Sequence, residues 1–182
     1  KLFINRNDIY LSNIIKCYLP KCRKPRSVEL DTCYNNYLKK EIQIVKPEIL
    51  ITLGYHVTKY ILKQYDLQVP NRHDFPKLFG KLLISKNKKI LPLRHPAAVV
   101  HNKSIYSLLE KNYLKINILL NKCKYYSECP IIQHYRNGKI IKDWLDLYCN
   151  GDWTECQRYK NYLQRKYIPD NMLPDGIIDI NL

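Results

Sequence analysis

Residues 8–54 read DIYLSNIIKCYLPKCRKPRSVELDTCYNNYLKKEIQIVKPEILITLG and contain the patterns that decide the fold. Ile9, Leu11 and the pair Ile14–Ile15 surround Asn13 and predict a buried strand that ends in this polar residue, at the edge where open α/β sheets bind ligands. A basic loop with two prolines follows, then a helix, and then a second strand that runs into Gly54. This strand–helix–strand order predicts a parallel sheet covered by helices.

The helix of this stretch carries Cys33 on its apolar face. Ser27 is a favourable N-cap, and Glu29 and Asp31 in the first turn complement the helix dipole. Apolar and aromatic residues then recur at helical spacing and predict one buried face, made of Leu30, Cys33, Tyr34, Tyr37, Leu38 and Ile42. Pro47 ends the helix. We therefore expect the Cys33 thiol to point toward the core.

The chain from residue 55 to residue 120 continues the same alternation. Tyr55–Tyr65 predicts a second amphipathic helix, and Leu82–Leu93 predicts one or two short strands around the turn SKNKK. Residues 104–120 predict a further helix, with a core face made of Ile105, Leu108, Leu109, Ile116, Leu119 and Leu120. The predicted fold class is therefore three-layer α/β, with a parallel central sheet covered by helices.

Residues 123–182 differ in composition from the rest. They hold both tryptophans, four of the seven cysteines and the turn-rich sequences NGDW and LPDG. We predict a boundary between a domain of residues 1–122 and a small cysteine-rich helical appendage of residues 123–182. Its thiols, in the spacing C-x5-C and C-x6-C, can bind zinc or a second cluster: Cys123, Cys129, Cys149 and Cys156. Because paired C-x2-C sequences are missing, the alternative is that these cysteines are buried against Trp144, Tyr148 and Trp153.

The charge of the chain indicates which class of partner it binds. Lys plus Arg exceed Asp plus Glu by 31 to 16, giving a formal net charge of +15, which suits a polyanion such as DNA. The alternative is that the lysines are ordinary solvated surface. No apolar run approaches the roughly 20 residues that span a membrane, and the start of the chain lacks a signal peptide, so we expect a cytoplasmic protein without membrane contact. In that compartment seven cysteines favour metal or iron–sulfur ligation over disulfides.

Residues 2–120 resemble the iron–sulfur, type 4 uracil-DNA glycosylases. The resemblance rests on five blocks in the same order: YLSNIIKC, P-x-C-R-x-P, VELDTCYNNYL, PEILITLG and HPAAVV. It implies a uracil-DNA glycosylase-like fold, DNA as the partner, and hydrolysis of the N-glycosidic bond of uracil during base-excision repair.

The resemblance also implies roles for single residues. Asn13 matches the base-binding amide, which suits uracil because the edge of that base presents both a donor and an acceptor. His95 matches the catalytic histidine, which donates to the uracil oxygen where negative charge develops. Val99 and Val100 match the loop that fills the gap left by the flipped base. Each residue also has a purely structural alternative: Asn13 can terminate a strand, His95 can be an exposed structural residue, and the valines can form an ordinary helix turn.

The cluster ligands are matched in part. Cys17 and Cys33, in the spacing C-x15-C, match two of the four ligands of a 4Fe-4S cluster, and Cys22 is a further possible ligand. The other two ligands, and the acidic loop that positions water, belong to an upstream segment of the family that these 182 residues lack. The resemblance therefore implies catalysis only when this segment is supplied, for example by another polypeptide.

Basic residues near the matched blocks are predicted to contact DNA phosphates. They are Lys16, Arg23, Lys24, Arg26 and Arg94. Three hypotheses follow: a uracil-DNA glycosylase, a non-catalytic nucleic-acid-binding relative with an iron–sulfur or zinc site, and a structural metal module of a larger complex. Excision of uracil, salt-dependent binding without uracil preference, and tight partner association would distinguish them.

Overall fold

The computed structural model describes residues 4–182, apart from the side chain of Cys22. The chain divides into two compact units, and the division falls between Ile49 and Leu50. No helix in residues 4–182 combines the length and the apolar character that crossing a bilayer requires.

The first unit begins with an irregular segment rather than a strand. After a 3-10 turn at Arg6–Asp8, the backbone of residues 9–19 forms no strand, so the predicted strand ending at Asn13 is wrong. Ile9 and Leu11 are 44% and 72% exposed, and the described residues of this unit offer no neighbouring strand before Ile49. An apolar run without a partner strand leaves its backbone groups to water, and the strand therefore does not form.

A helix dominates the rest of the first unit. A 3-10 turn at Pro20–Cys22 leads to α1 (Ser27–Cys33), which continues through a π-helical turn at Tyr34–Leu38 into α2 (Lys39–Val45). The helix ends where Lys46 adopts a left-handed conformation with φ of 48°. Ser27 is the first helical residue and Arg26 occupies the N-cap position, so the prediction of a Ser27 cap is wrong by one residue.

The predicted buried face of this helix is confirmed for Cys33 and Tyr34. Each is 6% exposed, so the Cys33 thiol points inward as expected. Tyr37, in contrast, is 53% exposed. The π-helical turn inserts a wider turn at this point and shifts the side chains that follow it relative to an ideal α-helix.

The second unit contains a small sheet. Strand β1 (Ile49–Leu53) leads through Gly54 into α3 (Tyr55–Gln64), and a 3-10 turn at Phe75–Leu78 precedes β2 (Leu83–Ser85) and β3 (Lys88–Leu93). The strand order is β1-β3-β2. This combination of helices and a sheet confirms the α/β class in its general form.

Strands β2 and β3 form the predicted pair around SKNKK. They are antiparallel, with Leu83 opposite Ile90, and Lys86 and Asn87 turn the chain with φ of 48° and 59°. Positive φ at both central residues matches the right-handed twist of a two-residue hairpin. Ile90, Leu91 and Leu93 are fully buried, so β3 lies in the core.

Helix α5 (Tyr106–Leu119) follows α4 (Ala98–His101) and a 3-10 turn at Lys103–Ile105. Its most buried residues are Asn112, Ile116 and Leu119, whereas the predicted core residues Leu108 and Leu120 are 44% and 52% exposed. Asn112 packs beside Gly80, where an added Cβ would lie 2.6 Å from the Asn112 Oδ1. A polar residue thus occupies the centre of the buried stripe.

Residues 123–182 fold into short helices. They are α6 (Pro130–Arg136), α7 (Lys142–Trp144) with a π-helical turn at Leu145–Cys149, a 3-10 turn at Trp153–Glu155, and α8 (Gln157–Leu163). These elements enclose a core cluster of their own, made of Ile131, Ile132, Ile140, Leu145, Cys149 and Leu173.

A buried ion pair joins this segment to α5. Lys115 Nζ donates to Asp152 Oδ2 at 2.6 Å, and the two side chains are only 16% and 7% exposed. Burial by itself lowers the pKa of Lys115, but the hydrogen bond and the charge of Asp152 raise it above its ordinary value. The lysine therefore stays charged because Asp152 faces it.

Breaking this pair is expected to destabilise the fold substantially. The Asp152→Asn variant should lower the free energy of unfolding by about 3 kcal/mol, because it leaves the Lys115 ammonium half-buried without its main counter-charge. Chemical unfolding in urea measures the loss. Asp66→Asn is the matched control, since it breaks the exposed Lys86–Asp66 pair, whose loss should cost less than about 1 kcal/mol. Equal losses in the two variants would contradict this account.

Candidate functional site

His95 lies just beyond the carboxyl end of β3, and its side chain is exposed. Its Nδ1 accepts a hydrogen bond from the Ala97 N–H at 3.2 Å, and its carbonyl accepts one from the Ala98 N–H at 2.9 Å. A neutral imidazole that accepts at Nδ1 carries its proton on Nε2. The loop thus holds His95 in the tautomer that presents an N–H donor to solvent.

Gly54 packs closely against His95. Its N–H donates to the Leu93 carbonyl at 2.8 Å, and its φ is 89°. A Cβ at this position would lie 3.3 Å from the His95 Cβ, so a larger residue would require a shift of a few tenths of an ångström at His95. The sequence indicated a turn at Gly54 but not its close approach to His95. The position of Gly54 directly after a strand was the signal that could have indicated this approach.

Arg94 is held by the protein. Its guanidinium lies over the Phe79 ring at 4.9 Å, and its Nη2 donates to the Pro76 carbonyl at 3.4 Å. Partial burial lowers the pKa of Arg94. The Tyr113 hydroxyl donates to the Arg94 carbonyl at 3.0 Å, which ties the residue preceding His95 to α5. Arg94 therefore also serves to fix this loop.

The two valines differ in exposure. Val99 is half-buried, whereas Val100 is 78% exposed. Both belong to the short helix α4, so the helix-turn alternative and a protruding apolar side chain occur together. Val100 is the side chain that is available to contact a partner.

Asn13 belongs to the first unit. Its side chain is exposed, and the described residues give it no hydrogen-bond partner. The amide is thus not used to terminate a strand. Ser12 and Lys16 on either side are anchored, since both donate to the Glu41 carboxylate, at 2.6 Å from Ser12 Oγ and 2.7 Å from Lys16 Nζ. The Lys16 and Ser12 hydrogen bonds lower the pKa of Glu41.

The basic loop has two kinds of cation. Lys16 and Arg23 already form ion pairs, Lys16 with Glu41 and Arg23 with Glu29. The side chains of Lys24 and Arg26 are exposed. The loop therefore has cations that organise it and cations that face solvent.

The Arg23–Glu29 pair predicts a measurable titration. The Arg23 hydrogen bond, followed by the Arg26 backbone N–H, lowers the pKa of Glu29 from 4.5 to about 2. Because the folded pKa is depressed, the pair stabilises the unit above the unfolded pKa, and this stabilisation is lost as the pH falls toward 2. Arg23→Gln is expected to raise the Glu29 pKa toward its ordinary value, measured by carboxyl NMR titration. Lys24→Gln is the control, and an unchanged midpoint in Arg23→Gln would contradict the pairing.

Cys17 and Cys33 do not complete a cluster site. Cys17 is exposed and Cys33 is buried, and both are free thiols. A 4Fe-4S cluster takes four cysteine ligands, whereas this pair supplies two. The side chain of Cys22, the other candidate, lies outside the described residues. Within residues 4–182, no group of three or more His, Cys, Asp or Glu side chains is arranged to hold a single metal ion.

The four carboxyl-terminal cysteines, in contrast, share one cavity. Cys123, Cys129, Cys149 and Cys156 all line a cavity of about 190 Å³. Burial raises the pKa of Cys149 from 9.0 to about 12, and the thiols of Cys129, Cys156 and Cys123 raise it further, because neighbouring thiolates would repel one another. Burial raises the pKa values of Cys123 and Cys156 as well. Sequence spacing raised the possibility of this cluster but did not identify the buried Arg158 beside it.

Comparison with known proteins gives a consistent set of relatives. A family model described as the uracil DNA glycosylase superfamily matches residues 1–121. The type-4 uracil-DNA glycosylase of Sulfurisphaera tokodaii is 32% identical over 142 residues, which make up 76% of this chain and 61% of that protein. The proteins of the same name from Saccharolobus solfataricus and Archaeoglobus fulgidus are 31% and 27% identical, over 66% and 65% of this chain and 56% and 60% of theirs. The chain thus matches about 60% of the length of these curated relatives.

Proposed function

Since the chain belongs to the uracil-DNA glycosylase superfamily, we propose that it acts on uracil in DNA during base-excision repair and hydrolyses the N-glycosidic bond. The observation that carries this proposal is the His95 imidazole, which is exposed beyond β3, accepts from the Ala97 N–H and presents its Nε2–H outward. The names of the relatives support the choice of uracil as the substrate base.

His95 stabilises the leaving group. Cleavage of the N-glycosidic bond passes through an oxocarbenium-like state, in which negative charge develops on the uracil base. A fixed Nε2–H donor aimed at the uracil O2 stabilises this charge without a reorganisation cost at the moment of reaction. Gly54 and the Ala97 N–H hold the ring for this task.

Asn13 reads the base and Val100 replaces it. The free amide of Asn13 offers a donor to the uracil O4 and an acceptor to the N3–H, a pairing that thymine also satisfies but cytosine does not. Val100, with Val99 beside it, fills the space that the flipped nucleotide leaves in the stack. Lys24 and Arg26 contact phosphates, and Lys16, Arg23 and Arg94 add positive charge while they hold their loops.

We extend the proposal to the arrangement of the sheet, the domain boundary and the cysteine ligands. We assign residues 1–122 to a three-layer domain with a parallel central sheet covered by helices, and residues 123–182 to a cysteine-rich appendage. The extent of the family match, residues 1–121, supports this boundary. Cys17 and Cys33 would supply two ligands of an iron–sulfur cluster, with the remaining ligands and the acidic group that positions water coming from a further segment or another polypeptide. No catalytic step is assigned to this cluster, because the two thiols do not complete its ligand set.

A strand-cleavage assay tests the function. A labelled duplex with one uracil is incubated with the full chain, supplied with the further segment that carries the acidic group, and then treated with alkali, which cleaves at abasic sites. An otherwise identical cytosine duplex is the control, because the Asn13 amide does not match the edge of cytosine. We expect cleaved product from the uracil duplex only. Absence of product under conditions where the chain binds the duplex would reject the enzyme.

A second function, nucleic-acid binding without catalysis, is favoured by the net charge of +15 and the exposed cations of the first unit. It predicts equal affinity for the uracil and cytosine duplexes, with an affinity that falls steeply as salt increases. The same two duplexes therefore separate the candidates.

A further inference from the structure

We propose that Cys123, Cys129, Cys149 and Cys156 together bind one iron–sulfur cluster, separate from the cysteines of the first unit. The proposal does not rest on glycosylase activity. Its starting point is that the four thiols, which are spread over 34 residues, line one cavity of about 190 Å³ and are all free. Four cysteines are the complete ligand set of a 4Fe-4S cluster.

The size of the cavity favours a cluster over a single ion. Tetrahedral zinc with Zn–S bonds of about 2.3 Å brings its four sulfurs to roughly 3.8 Å from one another, which leaves no open space between them. The four thiols here line a cavity of about 190 Å³, several times the roughly 30 Å³ that one water molecule occupies. A cavity of this size has room for the iron and sulfide ions of a cluster.

A buried cation faces the same cavity. Arg158 is 7% exposed and lines the cavity, and its Nη1 donates to the carbonyls of Pro169 and Met172 at 2.6 and 2.9 Å. Its Nε is buried and has no hydrogen-bond partner in the described part of the chain. A metal centre with four thiolate ligands carries net negative charge, which a buried guanidinium without a carboxylate partner offsets.

Backbone hydrogen bonds hold the cysteine-bearing segments in place. The Cys123 N–H donates to the Cys149 carbonyl at 2.9 Å, which fixes these two segments side by side. The Tyr126 N–H donates to the Cys123 carbonyl at 2.9 Å, and the Cys129 N–H donates to the Tyr125 carbonyl at 3.0 Å. The turn that joins Cys123 to Cys129 is therefore fixed as well.

The backbone beside Cys149 is tightly constrained as well. A Cβ on Gly151 would lie 2.3 Å from the Asp146 carbonyl oxygen, so only glycine fits where the chain leaves the π-helical turn. This turn carries Cys149 and belongs to the core cluster of the segment. The cavity wall that carries Cys149 is thus built from a backbone conformation that has little freedom to change.

The test isolates this site from the cysteines of the first unit. The full chain with Cys17→Ser and Cys33→Ser is purified without oxygen, and its iron, acid-labile sulfide and zinc are measured together with its visible absorption. We expect about four iron atoms and four sulfides per chain, and broad visible absorption. Adding Cys129→Ser to this background should remove most of the iron.

A second measurement does not depend on the folding of a cysteine variant. The Cys17→Ser, Cys33→Ser chain is treated with iodoacetamide before and after removal of iron, and the alkylated sites are identified by mass spectrometry. Cys123 and Cys129, which are half-buried, should react only after the iron is removed. Alkylation of either residue in the iron-containing protein, iron content that is unaffected by Cys129→Ser, or stoichiometric zinc in place of iron would overturn the proposal.

Discussion

The His95→Ala variant is expected to excise uracil about 10²- to 10³-fold more slowly than the unaltered chain, the loss typical of removing one fixed donor to a developing oxyanion. Alanine removes the Nε2–H that the loop presents, while the Ala97 and Ala98 backbone groups remain to form the turn. Single-turnover excision from a uracil duplex, with the segment that carries the acidic group supplied, measures the effect on chemistry apart from product release. Duplex affinity should change little, because the interaction strengthens only in the transition state.

The matched control is His101→Ala. His101 is also exposed and lies six residues beyond His95, at the end of α4. It lacks the turn contact that fixes the His95 tautomer, so its loss should leave the rate within a few-fold of that of the unaltered chain. A similar slowing in both variants would indicate a general effect on the loop, and an unchanged rate in His95→Ala would remove His95 from the mechanism.

The Asn13→Ala variant is expected to lower kcat/KM on uracil DNA by about 10³-fold. Two hydrogen bonds to a desolvated base edge are lost, at about 2 kcal/mol each. The groups on the base are then left unpaired in the pocket, which is the situation in which hydrogen-bonding sites discriminate most strongly. The same excision assay measures the loss under conditions of low substrate.

Asn36→Ala serves as the control for Asn13, because Asn36 is an exposed asparagine on the helix of the same unit. We expect it to retain the kcat/KM of the unaltered chain. If Asn13→Ala kept full activity and full preference for uracil over cytosine, the assignment of Asn13 to base reading would be wrong.

The sequence predicted elements whose burial follows a simple period. The inward Cys33, helix α3 after Gly54 and the β2–β3 hairpin are all found where they were expected. Each depends on local chemistry: a repeated apolar spacing, or a turn between two short strands. Such signals are complete within about a dozen residues.

The errors have a common physical cause. The strand predicted at Asn13 needed a neighbouring strand, which no local pattern can reveal. On α5, polar Asn112 occupies the centre of the buried stripe beside Gly80. A prediction based on apolar residues alone therefore placed Leu108 and Leu120 in the core, although both are exposed. In both cases the tertiary environment decided which face was buried.

In the candidate sites, too, the sequence identified residues but not the contacts between them. The motif pointed to His95 and Asn13, but the His95 tautomer depends on a hydrogen bond from Ala97 that only coordinates reveal. The spacing of the last four cysteines raised the possibility of a shared metal site, but it gave no sign of the buried Arg158 beside their cavity. The cysteines lie in separate segments of the chain, with Cys129 directly before α6, Cys149 in the π-helical turn and Cys156 directly before α8.

The central claim is that the His95 imidazole donates its Nε2–H to the leaving uracil. Isotope-labelled full chain is mixed with an abasic duplex and free uracil, the products of the proposed reaction, and intermolecular NOEs between the N3–H of uracil, which lies beside O2, and the His95 ring are recorded. We expect an NOE to the His95 ring and its loss when a cytosine duplex without free uracil replaces the products. A bound uracil that gives no NOE to the His95 ring would contradict the account.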